Sequence, residues 1–136
     1  MAAIVLADTG FLIALLRRRD THHEWAAAMA GERELPWRTC EAVLTEALHL
    51  LGPGGRAGLR ELLRRRLVTI AFSLEENMGP VLDLMRKYDD RPMSLADACL
   101  VRMTEIIADA IVLTTDSDFR IYRRHSRQVV PCSLPA

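Results

Sequence analysis

The sequence predicts one α/β domain over residues 1–136, a three-layer α/β/α sandwich whose parallel sheet is covered by helices on both faces. Three observations carry this expectation. Short runs of Ile, Val and Leu alternate with longer stretches of helical periodicity, the pattern of strand–helix–strand crossovers. Two of those runs, residues 4–7 and the start of 111–119, are apolar without alternation, as strands buried on both faces are. Half of the residues are apolar and only 5% aromatic. The core is therefore aliphatic, which suits layered packing better than a β-sandwich.

Taken in order, residues 4–7 form the first strand. Residues 9–19 read as a helix with Phe11, Leu12, Leu15 and Leu16 at helical spacing. Thr21-His22-His23-Glu24 has the form of a capping box opening a second helix to about residue 31. His22 and His23 are adjacent, whereas paired metal ligands on a helix stand four residues apart. A short strand is expected within 35–39, with Pro36 at its start. Thr39 then caps a helix running to Leu51, where Gly52-Pro53 stops it. Its apolar face is Val43, Leu44, Ala47, Leu48 and Leu51, with Glu46 half-buried on the shoulder. Residues 52–55 are a loop lacking the G-K-[ST] of a phosphate cradle, followed by a helix over about 56–66. A strand over 68–72 comes next, then a helix capped by Ser73-Leu74-Glu75-Glu76 that ends near Tyr88. Residues 89–92 break the chain before a helix from Ser94 to about Ala108. After the strand at 111 come a short helix bearing Arg120, Arg123 and Arg124, and a last strand over 128–131.

The chain has 18 basic and 18 acidic residues, so bulk charge does not steer it to nucleic acid and only a local patch would. Seventeen of the basic residues are Arg and one, Lys87, is Lys. Arg forks match phosphate geometry, although a GC-rich genome raises Arg for no functional reason. Cys40, Cys99 and Cys132 are odd in number and widely spaced, which predicts a reducing compartment and no structural zinc. The apolar start of the chain has no basic flank, and Asp8 interrupts it well short of a membrane span. A soluble, cytoplasmic protein is expected.

The chemistry-bearing residues are acids. Asp8 follows the first strand, Glu46 lies on a helix, Asp97 at a helix start, and Asp116 and Asp118 after the fourth strand. Parallel sheets place their ligand crevices at the carboxyl ends of the strands. Carboxylates gathered there repel one another unless a cation sits among them. A set of oxygen donors without His or Cys fits a hard ion, Mg²⁺ or Mn²⁺, and such ions serve phosphoryl chemistry. Each acid also has a plain structural explanation. Asp97 completes a capping box with Ser94, Asp116 and Asp118 suit a first helical turn, Asp8 can cap a helix, and Glu46 can be a flank residue.

Four blocks, Asp8-Thr-Gly-Phe-Leu-Ile-Ala-Leu, Val43-Leu-Thr-Glu46-Ala-Leu, Ser94-Leu-Ala-Asp97-Ala and Leu113-Thr-Thr-Asp116-Ser-Asp118-Phe119, resemble in order and spacing the signature blocks of PIN-domain ribonucleases. The resemblance extends over residues 3 to about 131, and the length is similar to that of single-domain VapC-type toxins of toxin–antitoxin pairs. It implies a five-stranded parallel sheet in the order 3-2-1-4-5 and a Mg²⁺- or Mn²⁺-dependent endoribonuclease leaving 5′-phosphate and 3′-hydroxyl ends. Asp8, Glu46, Asp97 and Asp116 match the family's catalytic acids. Asp8, Asp97, Asp116 and Asp118 are the metal-ligand candidates, and Glu46 ligates directly or through water. Thr9 and Thr115 match hydroxyl positions that orient the acids. The runs 17–19, 64–66 and 120–127, with Arg17, Arg18, Arg120 and Arg123 foremost, are candidates for tracking RNA phosphates, or else a solvated face. The resemblance further implies a cognate antitoxin and a homodimer, with no membrane partner.

Two other functions are compatible with a doubly wound acidic sheet. A magnesium-binding receiver-like signalling domain needs a lysine at a late strand end, and Lys87 falls instead on a mid-chain helix. A non-catalytic interaction domain predicts the loss of one or more acids, and none is missing.

Overall fold

The computed structural model describes residues 2–136. Its centre is the parallel pair β1 (Ile4–Ala7) and β4 (Ala110–Leu113), registered Ile4 to Ala110 through Ala7 to Leu113. β2 (Trp37–Thr39) pairs with the other edge of β1, and β3 (Val68–Ile70) with β2. A final strand, β7 (Cys132–Ser133), pairs with β4, so the sheet reads β3-β2-β1-β4-β7, all parallel. In order of sheet strands this is 3-2-1-4-5, as the resemblance implied.

Six helices flank the sheet: α1 (Thr9–Leu16), α2 (His23–Glu32), α3 (Glu41–Leu50), α4 (Pro53–Arg64), α5 (Met78–Lys87) and α6 (Leu95–Ile106). The result is an α/β/α sandwich. Val5, Leu6 and Ala7 of β1 and Val112 and Leu113 of β4 are fully buried, which explains their unbroken apolar runs. α1 buries Phe11, Leu12, Ile13 and Ala14, so it is apolar nearly all round instead of striped. α6 is buried from Ala96 through Val101 and again at Met103 and Thr104. Thr104 satisfies its hydroxyl by donating to the Val101 carbonyl at 2.6 Å.

Several local expectations are corrected. The first helix ends at Leu16, short of Arg19. The box at Thr21–Glu24 does not form: α2 starts after His22, which occupies the cap position without a side-chain cap bond, and the His22 amide donates to Asp20 Oδ1 at 2.9 Å. Thr39 does not cap α3. Its hydroxyl donates instead to the Ala7 carbonyl at 2.8 Å, and Cys40 occupies the cap position. Pro53, Gly54 and Gly55 are helical, because Pro at the first helical position needs no amide partner and has its φ preset.

The largest correction lies near the carboxyl terminus. Arg123–Arg124 (β5) and Gln128–Val129 (β6) form an antiparallel hairpin, not a helix and a sheet strand. Its tip places His125 and Ser126 at φ 49° and 68°. Such turns usually advertise themselves with Gly or Asn, and this one has neither. The sheet strand is displaced to Cys132–Ser133.

Candidate functional site

The flush register of β1 and β4 builds the site. Because Ala7 pairs with Leu113, the next residues of each strand, Asp8 and Thr114, emerge side by side on one face. The Asp8 amide donates to the Leu113 carbonyl at 3.1 Å, extending the ladder by one bond. The Asp8 carboxylate is buried and doubly held, Oδ1 by the Thr9 amide at 2.8 Å and Oδ2 by the Thr114 hydroxyl at 2.6 Å. The Thr114 oxygen in turn accepts from the Asp116 amide at 2.9 Å, which turns the chain toward Asp118. This corrects the expectation for Thr115, since the hydroxyl that orients Asp8 belongs to Thr114. Side chains alternate across a strand, so Thr115 faces elsewhere and packs against Gly10. A Cβ at Gly10 would collide with the Thr115 hydroxyl, and glycine is what lets α1 begin this close to β4.

The other acids arrive from three separate elements. Glu46, half-buried on α3, accepts from the Thr9 hydroxyl at 3.1 Å through Oε2. Asp97 sits in a complete capping box at the start of α6: its amide donates to Ser94 Oγ at 3.0 Å, and its Oδ2 accepts from the Ser94 amide at 3.2 Å. Asp116 Oδ1 accepts from the Asp118 amide at 2.9 Å, opening a short 3₁₀ turn, Ser117–Arg120. The structural explanations for Asp97 and Asp116 are therefore true, yet they leave part of each carboxylate over. Among the described residues, Glu46 Oε1, Asp97 Oδ1 and Asp116 Oδ2 accept no hydrogen bond, and none of them is sealed from solvent. Each of these three acids, unlike Asp8, has one oxygen tethered and one free.

Electrostatics ties them into one cluster. Burial, reinforced by the charges of Asp97 and Asp116, pushes the Asp8 carboxyl up from 3.8 to about 7, against the hydrogen bonds from Thr114 and Thr9. Burial, with Asp116 and Glu46 beside it, raises Asp97 to about 6. Tyr122, unremarked in the sequence, is fully buried and donates its hydroxyl to Asp97 Oδ2 at 3.3 Å. Burial and the nearby charges of Asp97, Asp118 and Asp116 hold that phenol well above its usual range. Only its position three residues after Phe119 hinted at it, and that spacing says nothing about Asp97.

The donor set is all oxygen. Among the described residues no three of Asp, Glu, His and Cys are grouped closely enough to hold a metal ion by themselves. The fit to an ion rests on donor chemistry: an all-oxygen set suits a hard ion such as Mg²⁺, which keeps several of its waters. His23 is engaged elsewhere, its Nδ1 lying 2.8 Å from the Ala14 carbonyl.

The arginines are less uniform than their spacing implied. Arg17 donates to the Leu50 carbonyl at 2.7 Å, closing the end of α3. Arg123 Nη1 donates to the carbonyls of Arg120, Ile121 and Tyr122 at 2.7–3.1 Å. Arg64 and Arg65 both pair with Glu61 on the surface. Arg18 and Arg120 are exposed, and their side chains make no hydrogen bond among the described residues.

A crystal structure of VapC20 from Mycobacterium tuberculosis, described as a toxin that cleaves the sarcin–ricin loop, shares this fold with a TM-score of 0.72. The two chains are 21% identical over 84% of this one and 91% of that one. No curated protein sequence matches the chain significantly. The model of the PIN domain matches residues 5–124, a span that runs from β1 through the acid-bearing 3₁₀ turn into the β5 strand, and on that match the chain belongs to the PIN-domain family.

Proposed function

We propose that this protein is a Mg²⁺- or Mn²⁺-dependent endoribonuclease and the toxin of a toxin–antitoxin pair. The observation that carries the reading is the convergence of Asp8, Glu46, Asp97 and Asp116, from four different elements, with three free carboxylate oxygens facing solvent. Burial, with the charges of neighbouring acids added to it, makes the ionised forms of Asp8 and Asp97 unfavourable without a cation, and a fold that gathers acids in this way has a use for one. Asp8, Asp97 and Asp116 hold the ion, Asp118 supports it, and Glu46 ligates directly or through water. When bound, such an ion activates water and stabilises charge developing on phosphate oxygens.

The chain's own groups do the rest. Thr114 and the Thr9 amide fix the Asp8 carboxylate, and the Thr9 hydroxyl fixes Glu46. Of Arg17, Arg18, Arg120 and Arg123, it is Arg18 and Arg120 that make no side-chain hydrogen bond to the protein and are available to RNA phosphates. The three cysteines are free, consistent with a cytoplasmic setting. No helix among the described residues is long and apolar enough to cross a membrane. An antitoxin would cover the crevice, directing an Arg or Lys at the free carboxylate oxygens, and a second copy of this chain completes the assembly.

Purified protein freed of partners should cleave RNA with Mg²⁺ or Mn²⁺ and be silent in EDTA. Mapping 5′ ends after brief induction of the wild type against Asp97→Asn tests activity and target together. Equal cleavage in EDTA, or wild-type rates in both Asp8→Asn and Asp116→Asn, would refute the reading.

A further inference from the structure

We propose that Tyr122 is a positioning residue for Asp97, its hydroxyl holding Oδ2 so that Oδ1 stays aimed as a metal ligand. The inference rests on the reading of the acids as a metal centre. Two donors, the Ser94 amide and the Tyr122 hydroxyl, fall on the same oxygen of Asp97 at 3.2 and 3.3 Å, and none falls on the other. The amide alone leaves the carboxylate free to swing about its side-chain bonds. A second donor from a different part of the chain fixes the plane.

The tyrosine itself has little freedom. Its ring is fully buried, with edge-on contacts to Phe119 and Tyr88 at centroid distances of 5.4 and 5.1 Å. Its amide donates to the Asp118 carbonyl at 3.1 Å, which closes the turn bearing Asp116 and Asp118. One residue thereby ties the turn carrying two acids to the helix carrying a third. The neighbouring Tyr88 hydroxyl goes elsewhere, accepting from the Arg123 amide at 2.9 Å. Tyr88 is therefore an internal control for the effect of losing a phenol from this aromatic group.

The test is Mn²⁺ binding followed by electron paramagnetic resonance, without RNA, on wild type, Tyr122→Phe, Tyr88→Phe and Asp97→Asn. Phenylalanine keeps the ring packing, and groups that orient a metal's ligands typically change affinity by 10–100-fold when removed. Tyr122→Phe should weaken Mn²⁺ binding by about ten-fold. Tyr88→Phe should leave it unchanged, and the metal-free melting temperature of Tyr122→Phe should move by no more than about 5 °C. Wild-type affinity in Tyr122→Phe, or equal losses in both tyrosine variants, would overturn the assignment while leaving the metal centre standing. A wild type that binds no Mn²⁺, indistinguishable from Asp97→Asn, would overturn both. If Tyr122→Phe does not fold, wild type labelled with 3-fluorotyrosine replaces it. Of its two fluorine resonances, the one retained in Tyr88→Phe should shift on Mg²⁺ addition, and its indifference to bound Mg²⁺ would end the proposal.

Discussion

The acids and the basic residues of this protein, 18 of each, balance in formal charge and differ in use. At the carboxyl end of the sheet, Glu46, Asp97 and Asp116 are each tied by one oxygen and leave the other open. Arg17 and Arg123, by contrast, turn their guanidiniums onto backbone carbonyls. A charge held in place with spare bonding capacity is poised for a ligand. A charge whose donors are engaged by the chain is part of the scaffold. The difference teaches that proximity of charge to a site is a poor guide to role, and that unused valence is a better one.

The comparison breaks most severely if an acid can be neutralised without consequence. Asp8→Asn or Asp116→Asn should lower RNA cleavage by at least ~10³-fold, as expected when transition-state charge stabilisation is lost, measured on a defined RNA with Mg²⁺. Metal-free Asp116→Asn should be as stable as wild type or more so, since it relieves repulsion, while gaining less from millimolar Mg²⁺ in a thermal melt. A wild-type melting temperature indifferent to Mg²⁺ and Mn²⁺, even with a non-cleavable RNA analogue present, would count against the site.

A smaller effect follows from the raised carboxyl of Asp8. At about 7 in the folded protein against an ordinary 3.8, Asp8 keeps a proton that the unfolded chain has released. Between about pH 4 and 7 the folded state thus binds more protons, and metal-free stability should fall as pH rises through that window and level off above it. Asp97 contributes in the same direction between about 4 and 6. The Asp8 shift alone corresponds to a loss on the order of 4 kcal/mol, read by chemical denaturation in EDTA, and Asp8→Asn should remove that part of the pH dependence. Stability that rises with pH across this range would contradict the buried cluster.

For the arginines the expected effects are smaller and differ in kind. Arg123→Ala should cost about 1–2 kcal/mol of stability, because it leaves three carbonyls short of a donor, with cleavage per folded molecule little changed. Arg18→Ala and Arg120→Ala should shift stability by less than ~0.5 kcal/mol. Each should also reduce the salt dependence of RNA binding by roughly one phosphate contact. An Arg123→Ala protein of full stability with impaired RNA binding would reverse the two roles.

How much of this was legible beforehand depends on whether it was local. β1 and β4 could be read because strands buried on both faces write their character into every residue, and the acids because they end those strands. The box at Ser94–Asp97 was legible for the same reason, being made within four residues. Thr114 was not, because choosing it over Thr115 requires the β1–β4 register, which no residue encodes by itself. Tyr122 was hidden likewise, its partner lying 25 positions earlier. The box at Thr21–Glu24 misled because α2 begins one residue later than it implies, with His22 at the cap position and its amide held by Asp20. The hairpin at 123–129 escaped because His125 and Ser126 reach positive φ without glycine.

The hydroxyl of Thr114 meets Asp8 across 106 residues of chain, and that separation governs when the acid site is assembled. Contacts so distant in sequence are the slow ones to form, since a long loop must close before they add any stability. During synthesis the first acid emerges early and waits, without the strand that holds it, until β4 has been made. No shortened product ending before β4 can own an assembled centre. Under the proposed function, cleavage competence would be tied to completion of folding, leaving an interval between translation and activity in which an inhibitor could reach the nascent chain first.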